Sequence, residues 1–391
     1  MSDVLPRPRD SQPAAVEAAM PPDSARRKRR YIVLTVLVAL VIVGWSGLWY
    51  YAVGQAGNVL DGWRDREAKA GRIYNCGSAS IGGYPFRIEV SCQNASAVFR
   101  ALQPPLEIKT ADILAAVQIY QPDLIISEFT GPATIGDAGH PPVLSANWKL
   151  GQASVRGTPT APERVALVFD APVLERLSGD SRESLLRANH LELHGRVAEG
   201  SAADKPVIEA ALSAEGITAP ALHPAAAQPL DADMVTVLRG LNDLSPKPWA
   251  ERFREMQAAG GRIDITRARV QQGNILAVGA GQLMLNPQGR LQGQLRVTIA
   301  GIDEFLDKIG AQRMVQSSPT MDRLAGFLDR FSPGLGAAAR QQAGTNIAAG
   351  INMLGEQTTL EGRKAVTLPL RFDDGAAFLG PIPIGKTPAL F

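Results

Sequence analysis

Hydrophobic and polar positions alternate along most of this chain, and the first departure from alternation is one unbroken apolar run. Tyr31 to Val53 contains no charged residue, and about twenty apolar residues suffice to cross a hydrocarbon core as a helix. Beyond it the period is two. Phe86, Ile88, Val90 and Cys92 alternate with Arg87, Glu89 and Ser91. Leu191, Leu193 and Val197 alternate with Glu192, His194 and Arg196, and Leu291, Gly293, Leu295, Val297 and Ile299 with Gln292, Gln294, Arg296 and Thr298. Such patterns predict antiparallel sheets with one covered and one wet face. Turn chemistry agrees. Gln271-Gln272-Gly273-Asn274, Asn286-Pro287-Gln288-Gly289 and Asp373-Asp374-Gly375 separate strand-like runs and supply Gly or Asn where positive φ is needed. Pro369 lies inside the run from Val366 to Phe372 and, lacking a ladder donor, predicts an edge strand or a bulge.

Helical spacing is rarer. Trp249 to Ala259 ends at Gly260-Gly261, a plausible stop. Ile302, Phe305, Leu306 and Ile309 follow i, i+3, i+4, i+7 spacing; Leu324, Phe327, Leu328 and Phe331 repeat it, and Leu335 to Leu354 is an Ala-rich helix candidate with Ile347, Ile351 and Leu354 on one face. Leu106 to Gln118 reads as an alternating strand and a short helical pattern. The expected fold class is α+β: one N-terminal transmembrane helix, then a mostly antiparallel, curved β-sheet domain with a few packing helices. The strand–turn–strand segments opened by Gly71-Arg72-Ile73 and by Gly261-Arg262-Ile263 suggest two similar halves, a likeness that amphipathic hairpins also produce by chance. The expected organisation is a disordered basic tail over 1–30, an anchor over 31–53, a β-rich half over 54–218, a Pro/Ala-rich linker over 219–229, and a second β-rich half with helices over 230–391.

Charge orients the anchor. Arg26, Arg27, Lys28, Arg29 and Arg30 immediately precede it, and a basic flank favours the cytoplasmic side. Trp45, Trp49, Tyr50 and Tyr51 gather at its far end, where amphipathic rings favour the interface. A cleaved signal peptide is the alternative, with Gly54 and Ala56 as a weak cleavage site. Either way the same domain is exported. Residues 1–30 hold seven basic and four acidic side chains, so the formal net charge of +2 leaves about −1 on the remainder. That lacks the cationic field nucleic-acid binding needs.

The two cysteines, Cys76 and Cys92, both fall early in the exported part. An oxidising compartment favours a disulfide between them, closing a loop of about fifteen residues; two buried free thiols are the alternative, and the spacing is not that of a redox C-x-x-C. Of the four histidines, His190 and His194 alone have suggestive spacing. On a strand they share a face with backbones about 13 Å apart, too far for easy joint metal ligation. His140 and His223 sit beside prolines, in loops. G-x-S-x-G and H-E-x-x-H are both missing from the exported part. No catalytic, cofactor-binding or metal residue is assigned, and a non-enzymatic protein is expected.

Gly82-Gly83-Tyr84-Pro85-Phe86-Arg87-Ile88, flanked by Cys76 and Cys92, resembles the signature of an uncharacterised bacterial envelope family, domain of unknown function 2125, with Gly83, Tyr84, Pro85 and Phe86 at its centre. Ile119-Tyr120-Gln121-Pro122-Asp123-Leu124 and Leu379-Gly380-Pro381-Ile382-Pro383-Ile384-Gly385 extend the resemblance over nearly all of the exported chain. The strand–turn–strand around Gly281 to Ile299 is similar to membrane-anchored AsmA-like proteins, which implies lipid traffic or outer-membrane assembly. The expectation is a single-pass protein of the bacterial inner membrane, N-terminus cytoplasmic and main domain periplasmic. It would bind lipid or another hydrophobic ligand in a β-sheet groove, or act as a scaffold for envelope proteins. A metal-dependent hydrolase using His190 or His194 is the remote alternative.

Overall fold

The computed structural model describes residues 24–158, 161–222, 224–245, 247–308, 355–380 and 382–391. The tail over 1–23 and the helical patterns at Leu324–Phe331 and Leu335–Leu354 lie outside the described residues. Helix α1 (Ser24–Lys69) contains the whole apolar run and is long and apolar enough to cross a membrane, a test a signal sequence also passes. The chain divides into two compact units after Gly54, and α1 extends beyond that residue. Fifteen further helical residues, Gln55 to Lys69, carry a Leu60–Trp63 pair at i, i+3 spacing. The helix stops where Gly71 takes φ +80°, a left-handed C-terminal residue.

The strands are β1 (Arg72–Asn75), β2 (Ser78–Gly82), β3 (Arg87–Phe99), β4 (Leu106–Gln118), β5 (Gln121–Thr130), β6 (Ala133–Asp137), β7 (Leu144–Asn147), β8 (Leu150–Thr158), β9 (Ala161–Asp170), β10 (Val173–Ser178), β11 (Ser181–Arg187), β12 (His190–Ser201), β13 (Asp204–Ile217) and β14 (Leu230–Arg239). After α2 (Trp249–Ala258) come β15 (Arg262–Gln272), β16 (Ile275–Leu285) and β17 (Leu291–Ala300), then α3 (Ile302–Lys308), β18 (Glu356–Leu360), β19 (Arg363–Asp373), β20 (Ala376–Leu379) and β21 (Ile382–Lys386). All are joined in one antiparallel sheet, which makes the fold α+β.

A line of breaks crosses the sheet. β1 and β2 are one strand interrupted at Cys76-Gly77, and their partner β3 breaks register at Asn94, φ +48°. The line continues through Gly131-Pro132 between β5 and β6, Trp148-Lys149 between β7 and β8, Ala171-Pro172 between β9 and β10, and Ala188-Asn189 between β11 and β12. On one side β5, β8, β9 and β12 pair in order; on the other β6, β7, β10 and β11 do. β4 spans both sides, pairing β5 through Asp112–Gln118 and β6 through Leu106–Lys109. Backbone groups at the breaks stay satisfied: Ala171 N donates to Asn189 O at 2.8 Å, and Lys149 N to Asp170 O at 2.9 Å.

This break explains why Leu106–Gln118 is one strand throughout, without the expected short helical pattern. The sheet-facing residues shift phase at Ala111, from Leu106 and Ile108 to Ile113, Ala115 and Val117, and the shift mimics a helical period. Ladders on both sides override that pattern. With β4 a strand, it no longer corresponds to α3, so that part of the duplication is lacking. Residues 219–229 join β13 to β14, which pair with each other. Pro369 lies neither on an edge strand nor at a bulge. β19 pairs β17 along one side, and on the other changes partner from β18 to β20 around Pro369. The missing N–H falls in that gap, while Pro369 O accepts from Gly380 N at 2.8 Å. The three glycine turns are hairpins as expected, between β15 and β16, β16 and β17, and β19 and β20.

Residues paired across an antiparallel ladder share a face. One row reads Val90, Ala115, Ser127, Ala153, Leu167, Leu193, Leu212, Met234, Ala268, Gly279, Val297, Leu368, each paired with the next. It is small or apolar throughout except for Ser127. The neighbouring row on the opposite face contains Glu128, Gln152, Glu192, Ser213, Asp233 and Arg269, held by bonds such as Ser213 to Asp233 at 2.8 Å. The apolar face is covered at its β19 end, where Ile302 and Leu306 of α3 pack with Ile299, Val366, Leu368, Leu379 and Ile382 into a buried core. In mid-sheet it opens: Leu193 is 47% exposed, Val165 42% and Val270 41%.

Candidate hydrophobic ligand site

At the β1–β4 end the same face is roofed by α1. Leu60, Trp63 and Arg64 sit above β3 and β4 and enclose a cavity of about 300 Å³. Its space comes from small side chains: Ala95, Ala97 and Ala115 line the floor, and the row through Ala115 carries Leu at Leu167, Leu193 and Leu212. Val90, Ile108 and Ile113 complete an almost wholly apolar wall. Trp63 stacks on Tyr74 at 4.7 Å between ring centroids, and Tyr74 meets Phe99 edge-on at 6.5 Å. Burial pushes the Tyr74 hydroxyl above its ordinary pKa. Beneath the helix end, Arg72 Nη2 donates to Glu67 Oε1 at 3.0 Å, and that hydrogen bond raises the guanidinium's pKa. This ion pair ties the helix end to β1.

Cys76 and Cys92 form a disulfide, Cα–Cα 5.3 Å, at the point where β1 breaks into β2. Both line the cavity. Arg64 Nη2 donates to Cys76 Sγ at 3.3 Å.

The signature residues form the β2–β3 turn. Gly83 has φ +96°, and a Cβ there would stand 2.7 Å from Arg87 O, so only glycine fits. Tyr84 and Phe86 are 50% and 60% exposed. Phe86 O accepts from Ile119 N at 3.1 Å, so the first two pieces of the signature, distant in sequence, meet. The third piece builds β20 and β21 and contributes Leu379 and Ile382 to the core beside α3. Arg26 to Arg30 fall in the first turns of α1, with Lys28, Arg29 and Arg30 exposed.

His190 and His194 lie on β12, on the polar face. Glu192 between them accepts from both: His190 Nε2 at 2.7 Å and His194 Nε2 at 2.9 Å. The other His190 nitrogen meets Asp170 of β9 at 2.6 Å. The two carboxylate hydrogen bonds raise the His190 pKa, that to Glu192 contributing most. Among the described residues no three metal-ligating side chains converge. His140 sits in an exposed turn, its N–H bonded to Asp137 O at 3.0 Å, and His223 lies outside the described residues.

The floor of the cavity was legible in the alternation of β3. Its roof was missed, because the sequence reading ended the helix at Val53. The Leu60–Trp63 spacing was the available signal.

Residues 49–388 match the model of a family described as an uncharacterised protein conserved in bacteria, DUF2125. The chain belongs to the DUF2125 family. The match spans the end of the apolar run, the cavity and the whole sheet, as the turn at Gly83 implied. No curated protein and no solved structure matches the chain, so the AsmA-like likeness has no counterpart among these comparisons.

Proposed function

We propose that this DUF2125 protein is a non-enzymatic, membrane-tethered carrier of lipid or another hydrophobic molecule in the bacterial envelope. The carrying observation is the apolar row that crosses twelve strands, closed over at both ends and open at Leu193, Val165 and Val270. A closed core would bury those side chains; exposed apolar surface of this extent marks a binding surface. The basic residues before the apolar run support an N-terminus in the cytoplasm and a sheet in the periplasm, and the disulfide agrees with an oxidising compartment. The ligand lies on the apolar face, and the polar face carries its salt bridges in water.

Full-length protein, gently extracted from envelopes and analysed by native mass spectrometry, should carry co-purifying lipid. Protein that is free of apolar ligand in every preparation refutes the reading. Crosslinking that recovers one specific protein partner, with no lipid, would favour the scaffold instead.

A further inference from the structure

Resting on that reading, we infer that the cavity beneath α1 takes a single alkyl chain bearing an anionic head, with Arg64 as the group that holds the head. Among the described residues Arg64 is the one charged side chain lining the cavity. Its paired carboxylate, Asp61, stands at 3.8 Å, outside hydrogen-bond distance, and is 77% exposed. Its other described contact is the neutral Cys76 sulfur, a weak acceptor. A guanidinium carries five donors in a planar fork suited to carboxylate or phosphate. Here it is 30% exposed, so its hydration is reduced, and its ion pair with Asp61 leaves the guanidinium without a carboxylate hydrogen bond. That arrangement attracts an anion. The walls supply the rest: an almost wholly apolar lining receives the chain, and Trp63 on Tyr74 fixes the width. A volume of about 300 Å³ lies at the low end for ligand sites and suits one chain and not two. A neutral head gains only a single, weaker hydrogen bond from Arg64, and a cationic head is repelled.

The test uses full-length protein in lipid nanodiscs with diazirine-bearing dodecanoate, dodecyl phosphate and dodecanol, and maps photolabelling to peptides containing Leu60–Arg64 and Val90–Ala97. Both peptides should label, and each anion should label more than the alcohol. In Arg64→Gln the anion-to-alcohol ratio should fall about tenfold, the scale of a lost charge-assisted hydrogen bond, with alcohol labelling unchanged. The stronger of the two anions identifies the head. Equal labelling by all three probes, or a ratio unmoved by Arg64→Gln, overturns the role of Arg64 while leaving the apolar site standing. Absence of labelling at these peptides by every probe refutes the cavity as a site, whatever lipid co-purifies with the sheet.

Discussion

Trp63 lies on Tyr74, ring centroids 4.7 Å apart and planes inclined by 29°. One residue belongs to the helix that leaves the apolar run, the other to the first strand of the sheet. Their stack sets the height of the cavity roof and couples the end of α1 to β1. Replacing Trp63 with Ala should cost about 2–3 kcal/mol, below the range for a fully buried aromatic because Trp63 is only part-buried. Trp63→Phe should recover most of it. Denaturant unfolding of the full chain reads both.

Breaking the Cys76–Cys92 bridge should destabilise the β1–β3 corner. The two positions are 16 residues apart, and closing such a loop contributes about 3 kcal/mol in the chain-entropy model. The Cys76→Ser, Cys92→Ser double variant should show a lower denaturant midpoint. It should also show faster amide exchange in β1, β2 and β3 than in β16 and β17.

Filling the cavity separates stability from binding. Ala115→Leu adds apolar volume to existing space beneath Trp63, so stability should change by less than about 1 kcal/mol. Photolabelling of the cavity peptides should be lost. Unchanged labelling would mean that the chain lies elsewhere.

Leu193→Asp places a charge on the open part of the apolar face. Leu193 is 47% exposed, so unfolding should shift by less than about 1 kcal/mol. Co-purifying lipid should fall sharply in native mass spectrometry, because desolvating an unpaired carboxylate against an apolar chain is costly. Glu192→Ala, next to it on the polar face, serves as the control and should leave lipid content unchanged.

The Asp170–His190–Glu192–His194 row gives a pH signature. The folded pKa of His190 is raised by Glu192 and Asp170, so its contribution is full below the unfolded value of about 6.5 and lost as pH rises through the higher folded pKa. Glu192 is lowered, by His190 first and then His194. Its contribution is full above the ordinary carboxylate range and lost on acidification. The row therefore stabilises most between those limits, modestly, because it is solvent-accessible and screened by salt. His190→Gln should flatten the decline in unfolding midpoint as pH rises above about 6.5.

Period-two alternation in β3, β12 and β17 and the uncharged run in α1 were legible in the sequence, because one residue's preference for water or oil repeats at a spacing the backbone imposes. The glycine turns were legible for the same reason: φ is a local property. The unbroken strand at Leu106–Gln118, where a short helical pattern was also expected, and the misplaced Pro369 had a different origin. Both depend on which strand lies alongside, and hydrogen bonds between residues far apart in sequence decide that. The line of breaks, the twelve-strand apolar row and the roofing of Ala95, Ala97 and Ala115 by Trp63 exist only once register is set. By itself the sequence determined that one face would be apolar and that one helix could enter a membrane. Tertiary structure alone decided where that face is covered, where it stays open and that Arg64 meets it, because a cavity is a relation between surfaces and no single segment contains it.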